Sequence, residues 1–536
     1  MQLVALASSA ALLIAASPPV PAASALSDAM TANATTATPG CAVGVIEQGR
    51  LAYERGFGAA DLGTGRQIDP RTVFNLASMS KSFTAAAIAL LVRDGTIGLE
   101  DDVRRWLPDL RDYGHTIRIR HLLHHTSGLR NHMALAAFQP GAPLPSHGEA
   151  LALVYRQSAL NFAPGSRHQY ESPNYVLLAE IVARASGKSF EQFLQERIFT
   201  PLGMTDTGFA SPALARVYSP NPGGGFVLSE RVNGARGSSN LLSSLRDFAT
   251  WLIALDSDRL APGLLRDMMA GTRLNDGSSV SYSYGLAVSR NHDRVPGLTM
   301  ISHGGQTAAW RSQFNYFPGR GFGVIMLCNV ANAPRQAAQT AVAAWVGASF
   351  TRPASTAPTE NVPLAPGEAT RFAGTWLDPE GDDVRIFSAG GDLLNLVYAG
   401  QPYPLEHRGG GRFALGNLGE FRFAGDSMIE TGPNQPAITF ARQRPAAAMA
   451  PADYAGTYRS RDVDGELVVR VADNGGLSLA APFGEMPLEP IHPDGFAAAA
   501  AGVGHVAFRR DGGGTVSGLT ISTLSGIGRM QFDRAR

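Results

Sequence analysis

The chain has 536 residues, with 45 basic and 45 acidic side chains and a hydrophobic content of 44 %. That length exceeds what one core organises, so about two to four domains are expected. The even charge balance, with no lysine or arginine tract, excludes nucleic acid and an anionic membrane surface as main partners.

Leu3 to Ala16 is almost wholly apolar, is broken by Pro18, Pro19 and Pro21, and is followed by the A-x-A site Ala23-Ser24-Ala25. This predicts a cleaved secretory signal over 1–25 and a periplasmic or secreted mature protein, although no lysine or arginine opens the segment. The apolar stretch is too short for stable membrane insertion. Only Cys41 and Cys328 are present, both in apolar strand-like runs. Two cysteines make no disulfide scaffold, so buried free thiols are expected, with a bridge open if the first and last strands of the main sheet are neighbours.

From Gly40 to Gly58 the runs CAVGVIEQ and LAYERGFG meet at Gly49-Arg50, which predicts an antiparallel hairpin. Ser78-Met79-Ser80-Lys81 then opens the run SFTAAAIALLV (82–92), and Asp94-Gly95 stops it, so a helix is expected from about 78 to 94. Residues three apart share a helix face, which sets Ser78 and Lys81 within reach of each other. A helix N-terminus favours an alkoxide and disfavours an ammonium, and a lysine with a lowered pKa can serve as base to a hydroxyl nucleophile. Helices follow over 174–186, 189–202 and 243–255, the last opening with Ser244-x-x-Asp247. Strand signals return at 282–289, 298–305, 311–318 and 321–330, and the helix AAQTAVAAWVGASF closes the unit. Strands first, helices inserted and strands last predict an α/β domain over 26–350 whose sheet is assembled from both ends.

Residues 351–368 are Pro/Ala/Thr-rich and aperiodic, a linker. Beyond it short alternating segments with Gly turns take over. Phe372-Ala-Gly-Thr-Trp376 recurs as Tyr454-Ala-Gly-Thr-Tyr458. This predicts two duplicated antiparallel β-barrel domains, over 369–446 and 447–536.

Three further segments bear on chemistry: HLLHHTSGL (121–129), FAPGSRHQYESPNYVLLAEIV (162–182) and ISHGGQTAAWRSQF (301–314). With S-x-x-K at 78–81, Tyr170 in a loop before a helix, and His303-Gly304-Gly305 at a strand end, the chain resembles the penicillin-recognising serine hydrolases. These are the superfamily of class C β-lactamases and DD-peptidases, with S-x-x-K, Y-x-N and K-T-G or H-x-G in this order. Within it the chain looks most like bacterial D-aminopeptidases. The likeness lies in the HGG strand followed by Trp310-Arg311-Ser312-Gln313, in Glu196-Arg197-Ile198-Phe199, and in two trailing β domains opening with G-T-W and G-T-Y.

The resemblance implies a β-lactamase-like catalytic fold and catalysis without a cofactor or metal. In it Ser78 attacks and is acylated, Lys81 accepts its proton, and Tyr170 passes a proton to the leaving group. Backbone N–H groups of Ser78 and Gln306 form the oxyanion hole, with Ser172, His303, Gly304, Gly305 and Arg311 lining the substrate site. The expected substrates are D-amino-acid amides or short peptides. Short-chain esters, β-lactam or DD-carboxypeptidase chemistry, and a non-hydrolysing binding protein are the alternatives. Expected partners are a small-molecule, peptide or ester substrate, with a homodimer open.

The chain departs from the family pattern at Ser172, where an Asn is usual. A hydroxyl has a shorter reach and fewer hydrogen-bonding sites than an amide, so Asn174 reaching in is a candidate compensation. At 303 a histidine stands where β-lactamases have lysine, which favours substrates lacking a carboxylate beside the scissile bond; Arg311 either compensates or braces its strand. The stretch 490–510 looks shorter than the loop D-aminopeptidases send over the cleft to select a free amine. Glu171 is expected to face solvent or brace its loop, Trp310 and Tyr175 to pack, and His121, His124 and His125 to belong to a structural turn despite metal-like spacing.

Overall fold

The structure, a computed structural model, describes residues 21–535 apart from 143, 231–233, 352–360, 382, 399, 417–418, 433–434, 445–449, 499–502 and 525. The apolar run Leu3–Ala16 and half of the predicted linker therefore lie outside the described residues. The predicted cleavage position after Ala25 falls inside a helix, Pro21–Thr31, which buries Ala22, Ala23, Leu26 and Met30.

Seven antiparallel strands form the main sheet, in the spatial order Tyr282–Ser283, Leu286–Ser289, Met300–Thr307, Trp310–Phe317, Phe322–Cys328, Cys41–Glu47 and Arg50–Phe57. Alternation decides its two faces. Val43, Val45, Val324 and Met326 pack beneath the helices Pro21–Thr31 and Gln336–Ser349. Ala42, Ile46, Ile325 and Leu327 face the larger core that holds the nucleophile helix. The first and last strands are neighbours, with Cys41 directly opposite Cys328. The two are joined in a disulfide, so the expected free thiols are corrected: the antiparallel register leaves the sulfurs no other partner.

The strand expected over 282–289 is split at Tyr284 and Gly285, both at positive φ (48° and 75°). A Cβ on Gly285 would lie 2.6 Å from the Lys81 carbonyl carbon, so only glycine lets this strand pass the start of the nucleophile helix. The helical layer follows the apolar periodicity. Ser172–Ser186 ends on Gly187 at φ 69°, and Leu245–Asp256 is capped by Ser244 accepting from the Asp247 N–H. In the segment 189–202 Ser189 is the extended cap and the rest is helical, with a wider turn at Gln195–Phe199.

The two β domains differ. The second is a closed barrel of eight strands, from Gly456–Arg459 to Ile527–Arg534. The first is a nine-stranded sheet that stops short of closure, so its barrel expectation holds only approximately. Its edge strands, Gln401–Pro404 and Glu406–His407, are consecutive in the chain with only Leu405 between them, which curls the sheet round a core of Trp376, Phe387, Phe413, Phe423 and Phe440. The second barrel seats directly on the catalytic domain, where Leu135, Phe138 and Leu153 share its apolar cluster. Beside them Arg130 and Asp462 form an ion pair at 2.6 Å, 2 % and 1 % exposed.

Candidate active site

Ser78 lies in a tight turn that precedes the regular helix. Residues Ala77–Ser80 form a 3-10 turn and the α-helix begins at Lys81, running to Arg93. Ala77 is held at φ 49°, a region costly for a side chain, with its N–H donated to Asn75 Oδ1 at 2.8 Å. This strained elbow presents Ser78, half-buried, to the cleft. Lys81 Nζ stands 3.1 Å from Ser78 Oγ and 2.8 Å from the Ser238 carbonyl oxygen. The Lys81 side chain is fully buried. Burial pushes its pKa down to about 7 against an opposing pull from Glu171, so a large share of the amine is free base at neutral pH.

Tyr170 closes the triangle. Its ring centroid lies 4.9 Å from Lys81 Nζ. Although Tyr170 keeps 39 % of its surface exposed, desolvation raises its pKa while the nearby Ser78 pulls the other way, so it rests as a neutral phenol, a proton donor. His125 fixes the loop on both sides of Tyr170: its carbonyl accepts the Gln169 N–H at 2.9 Å and its Nδ1 accepts the Glu171 N–H at 3.1 Å. Its ring lies 4.4 Å from the Tyr170 ring.

The Met300–Thr307 strand forms the opposite wall. A Cβ on Gly305 would strike Ser312 Oγ at 2.1 Å and the Leu76 carbonyl oxygen at 2.3 Å. The glycine thus lets this strand press against the turn that carries Ser78, bringing 304–306 to the nucleophile. His303 Nε2 lies 3.0 Å from the Tyr282 hydroxyl, and burial holds its pKa down to about 4. It is neutral and supplies no charge for a carboxylate.

Ser78, Lys81, Tyr170, Gly305 and His303 lie together around the elbow, and Gly304 and Gln306 lie exposed on the same strand. Ser172 is the first residue of its helix, half-buried. Asn174 does not replace it: its side chain is engaged by Ser127 Oγ at 2.5 Å, by the Glu171 carbonyl at 3.0 Å and by His125 Nδ1 at 3.1 Å. Arg311 Nη1 donates to the Ala308 and Trp310 carbonyls, so it braces the turn that ends the strand.

Glu171 faces neither solvent nor the cleft. It is 4 % exposed, accepts from Gln169 Nε2 at 2.9 Å, and burial raises its pKa well above the carboxylate range. Trp310 packs edge-on against Phe74, and the Tyr175 hydroxyl is spent on the Leu123 carbonyl. His121, His124 and His125 serve three separate partners, the Arg118 N–H, the Tyr282 carbonyl and the Glu171 N–H. Among the described residues no group of three His, Cys, Asp or Glu side chains is placed to hold a metal. The Ser238 carbonyl and the His125 clamp are not legible in the sequence; G-S-S-N carries no signal for the first, and the positive φ of His125 (56°) shows only in the fold.

A family profile described as Beta-lactamase matches residues 26–348. A D-aminopeptidase of Cereibacter sphaeroides is 27 % identical over 90 % of this chain and 93 % of its own, and one of Gluconobacter oxydans 28 % identical over 84 % and 86 %. Among solved structures, an octameric penicillin-binding protein homologue from Pyrococcus abyssi shares the fold (TM-score 0.54, 23 % identity, 78 % of this chain and 99 % of that one). So does a D-amino acid amidase from Ochrobactrum anthropi (TM-score 0.51, 23 % identity, 62 % and 99 %).

Proposed function

Because the chain belongs to the β-lactamase family, a serine hydrolase fold, we propose that it cleaves D-amino-acid amides or short peptides through an acyl-enzyme on Ser78. One observation carries the reading: a fully buried lysine with its amine 3.1 Å from the serine oxygen and a pKa near 7. The resemblance to D-aminopeptidases runs from the catalytic domain through both β domains and supplies the substrate class.

The chemistry follows from the geometry. Lys81 takes the Ser78 proton as the oxygen adds to the scissile carbonyl. The oxyanion develops toward the N–H groups of Ser78 and Gln306, donors that contribute on the order of 3 kcal/mol to such a transition state. Tyr170 gives its proton to the departing amine and is reprotonated through Lys81, the two titrating as a pair. Water then cleaves the ester by the reverse relay.

We place the mature protein outside the cytoplasm. The apolar stretch Leu3–Ala16 and the Cys41–Cys328 disulfide support this, since such bonds persist in oxidising compartments. No helix among the described residues is long and apolar enough to cross a membrane.

The test is release of p-nitroaniline from D-Ala-p-nitroanilide against its L-isomer and against p-nitrophenyl butyrate. The D-anilide is expected to be preferred over the L-anilide by at least tenfold in kcat/KM, and Ser78→Ala to abolish turnover. An L preference, or an enzyme active on the ester alone, would overturn the substrate class.

A further inference from the structure

Tyr170 sits on a loop that both trailing β domains grip. On its N-terminal side Arg167 reaches the first β domain, with its guanidinium 3.4 Å from Asp383, 3.5 Å from Glu380 and 3.6 Å from Asp378. On its C-terminal side the buried Glu171 meets Gly526, in the turn that joins Val516–Thr523 to Ile527–Arg534 of the second barrel. Gly526 has φ 98°, and a Cβ there would lie 1.9 Å from Glu171 Oε1 and 3.0 Å from Oε2. Any side chain at 526 must displace the Glu171 carboxylate.

The turn itself is fixed to the catalytic domain. The Gly526 carbonyl accepts the Asn131 N–H and Asn161 Nδ2, both at 3.1 Å. The Gly528 N–H donates to Asn161 Oδ1 at 2.8 Å, and the Gly528 carbonyl accepts from Arg130 at 3.0 Å. The two β domains are also linked to each other here, by Arg529 donating to the Glu380 carbonyl at 2.7 Å.

We propose that the trailing β domains are positioning elements for catalysis, with Gly526 wedged against Glu171 and Arg167 tied to Asp378, Glu380 and Asp383 so that the Tyr170 ring is held beside Lys81. This acts on the proton donor rather than on the substrate, and through a different segment from the 490–510 stretch. A phenol displaced by an ångström loses its proton-transfer geometry while the acyl-binding wall stays intact. The loss therefore falls on kcat and spares KM. The inference depends on Tyr170 serving the leaving group and not on which acyl donor the enzyme prefers.

The test uses the full-length enzyme with D-Ala-p-nitroanilide and p-nitrophenyl butyrate, alongside Ser78 labelling by a fluorophosphonate, which needs no protonated amine leaving group. Gly526→Leu is expected to lower kcat at least tenfold with KM within twofold, and to affect the anilide more than the ester. The positive φ at 526 strains any side chain, so the melting temperature should fall, but Ser78 should still be labelled, showing a folded catalytic domain. Cutting back the struck side chain, in G526L/E171A, is expected to recover at least fivefold of the lost kcat. Arg167→Ala should give a smaller loss of the same kind. Full activity in G526L, a loss carried by KM, or a double variant no better than G526L would each overturn the proposal; if G526L does not fold, an unchanged kcat in R167A overturns it.

Discussion

A lysine buried without a carboxylate bonded to it is costly, and Lys81 shows where that cost is used. Its pKa in the folded chain lies below the ordinary value, near 7 against 10.5. Between those values the unfolded chain binds more protons, so stability rises with pH across that window and burial of the amine works against the fold below it. Lys81→Met is therefore expected to abolish turnover yet to melt at or above the wild-type temperature at pH 7, checked by calorimetry; a clear fall in melting temperature would contradict it. Ser172 offers a second test at the same scale. An amide at the first helical position supplies two donors and an acceptor where the hydroxyl supplies less, and Asn174 is fully engaged elsewhere. Ser172→Asn is expected to raise kcat/KM for D-Ala-p-nitroanilide severalfold, with little change on p-nitrophenyl butyrate. The serine and lysine are readable from spacing because three residues on a helical turn share a face. Ser238 is not, since only the tertiary fold brings its carbonyl to Lys81.

Local signals predicted most helices and strands, and failed where another element intruded. The predicted helix from 78 becomes a 3-10 turn up to Ser80 because Asn75 and Leu241 hold that segment in an elbow; the Leu241 N–H donates to Ser80 Oγ at 3.2 Å. The strand over 282–289 breaks at Gly285 because the nucleophile helix starts there. Register gave the largest correction: neither cysteine shows its partner in sequence, and the pairing of the first strand with the last sets them opposite. The bond closes a loop of 287 residues. Replacing both cysteines by alanine is expected to cost about 2–4 kcal/mol in denaturant unfolding, with the active-site geometry kept. An unchanged midpoint would show that the bond contributes nothing to the folded state.

At the scale of the whole molecule, the composition and the repeated G-T-W and G-T-Y segments announce two β domains, but nothing in the chain tells where they dock. Docking rests on contacts between residues far apart in the chain, the apolar cluster holding Leu135, Phe138 and Leu153 and ion pairs of which Arg130 with Asp462 is the most buried. Removing the carboxylate takes the counter-charge from the buried Arg130, so Asp462→Ala is expected to cost about 3–5 kcal/mol. It should also loosen the second barrel, read as earlier proteolytic cleavage between the domains. The most direct test of the account as a whole is the pH dependence of Ser78 acylation, followed by intact-protein mass spectrometry with a fluorophosphonate. A single label on Ser78, with a rate that rises with pH and levels off above an inflection near 7, is the predicted result, because only the free amine of Lys81 can take the serine proton. A rate flat across that range, or a label carried by another residue, would contradict it.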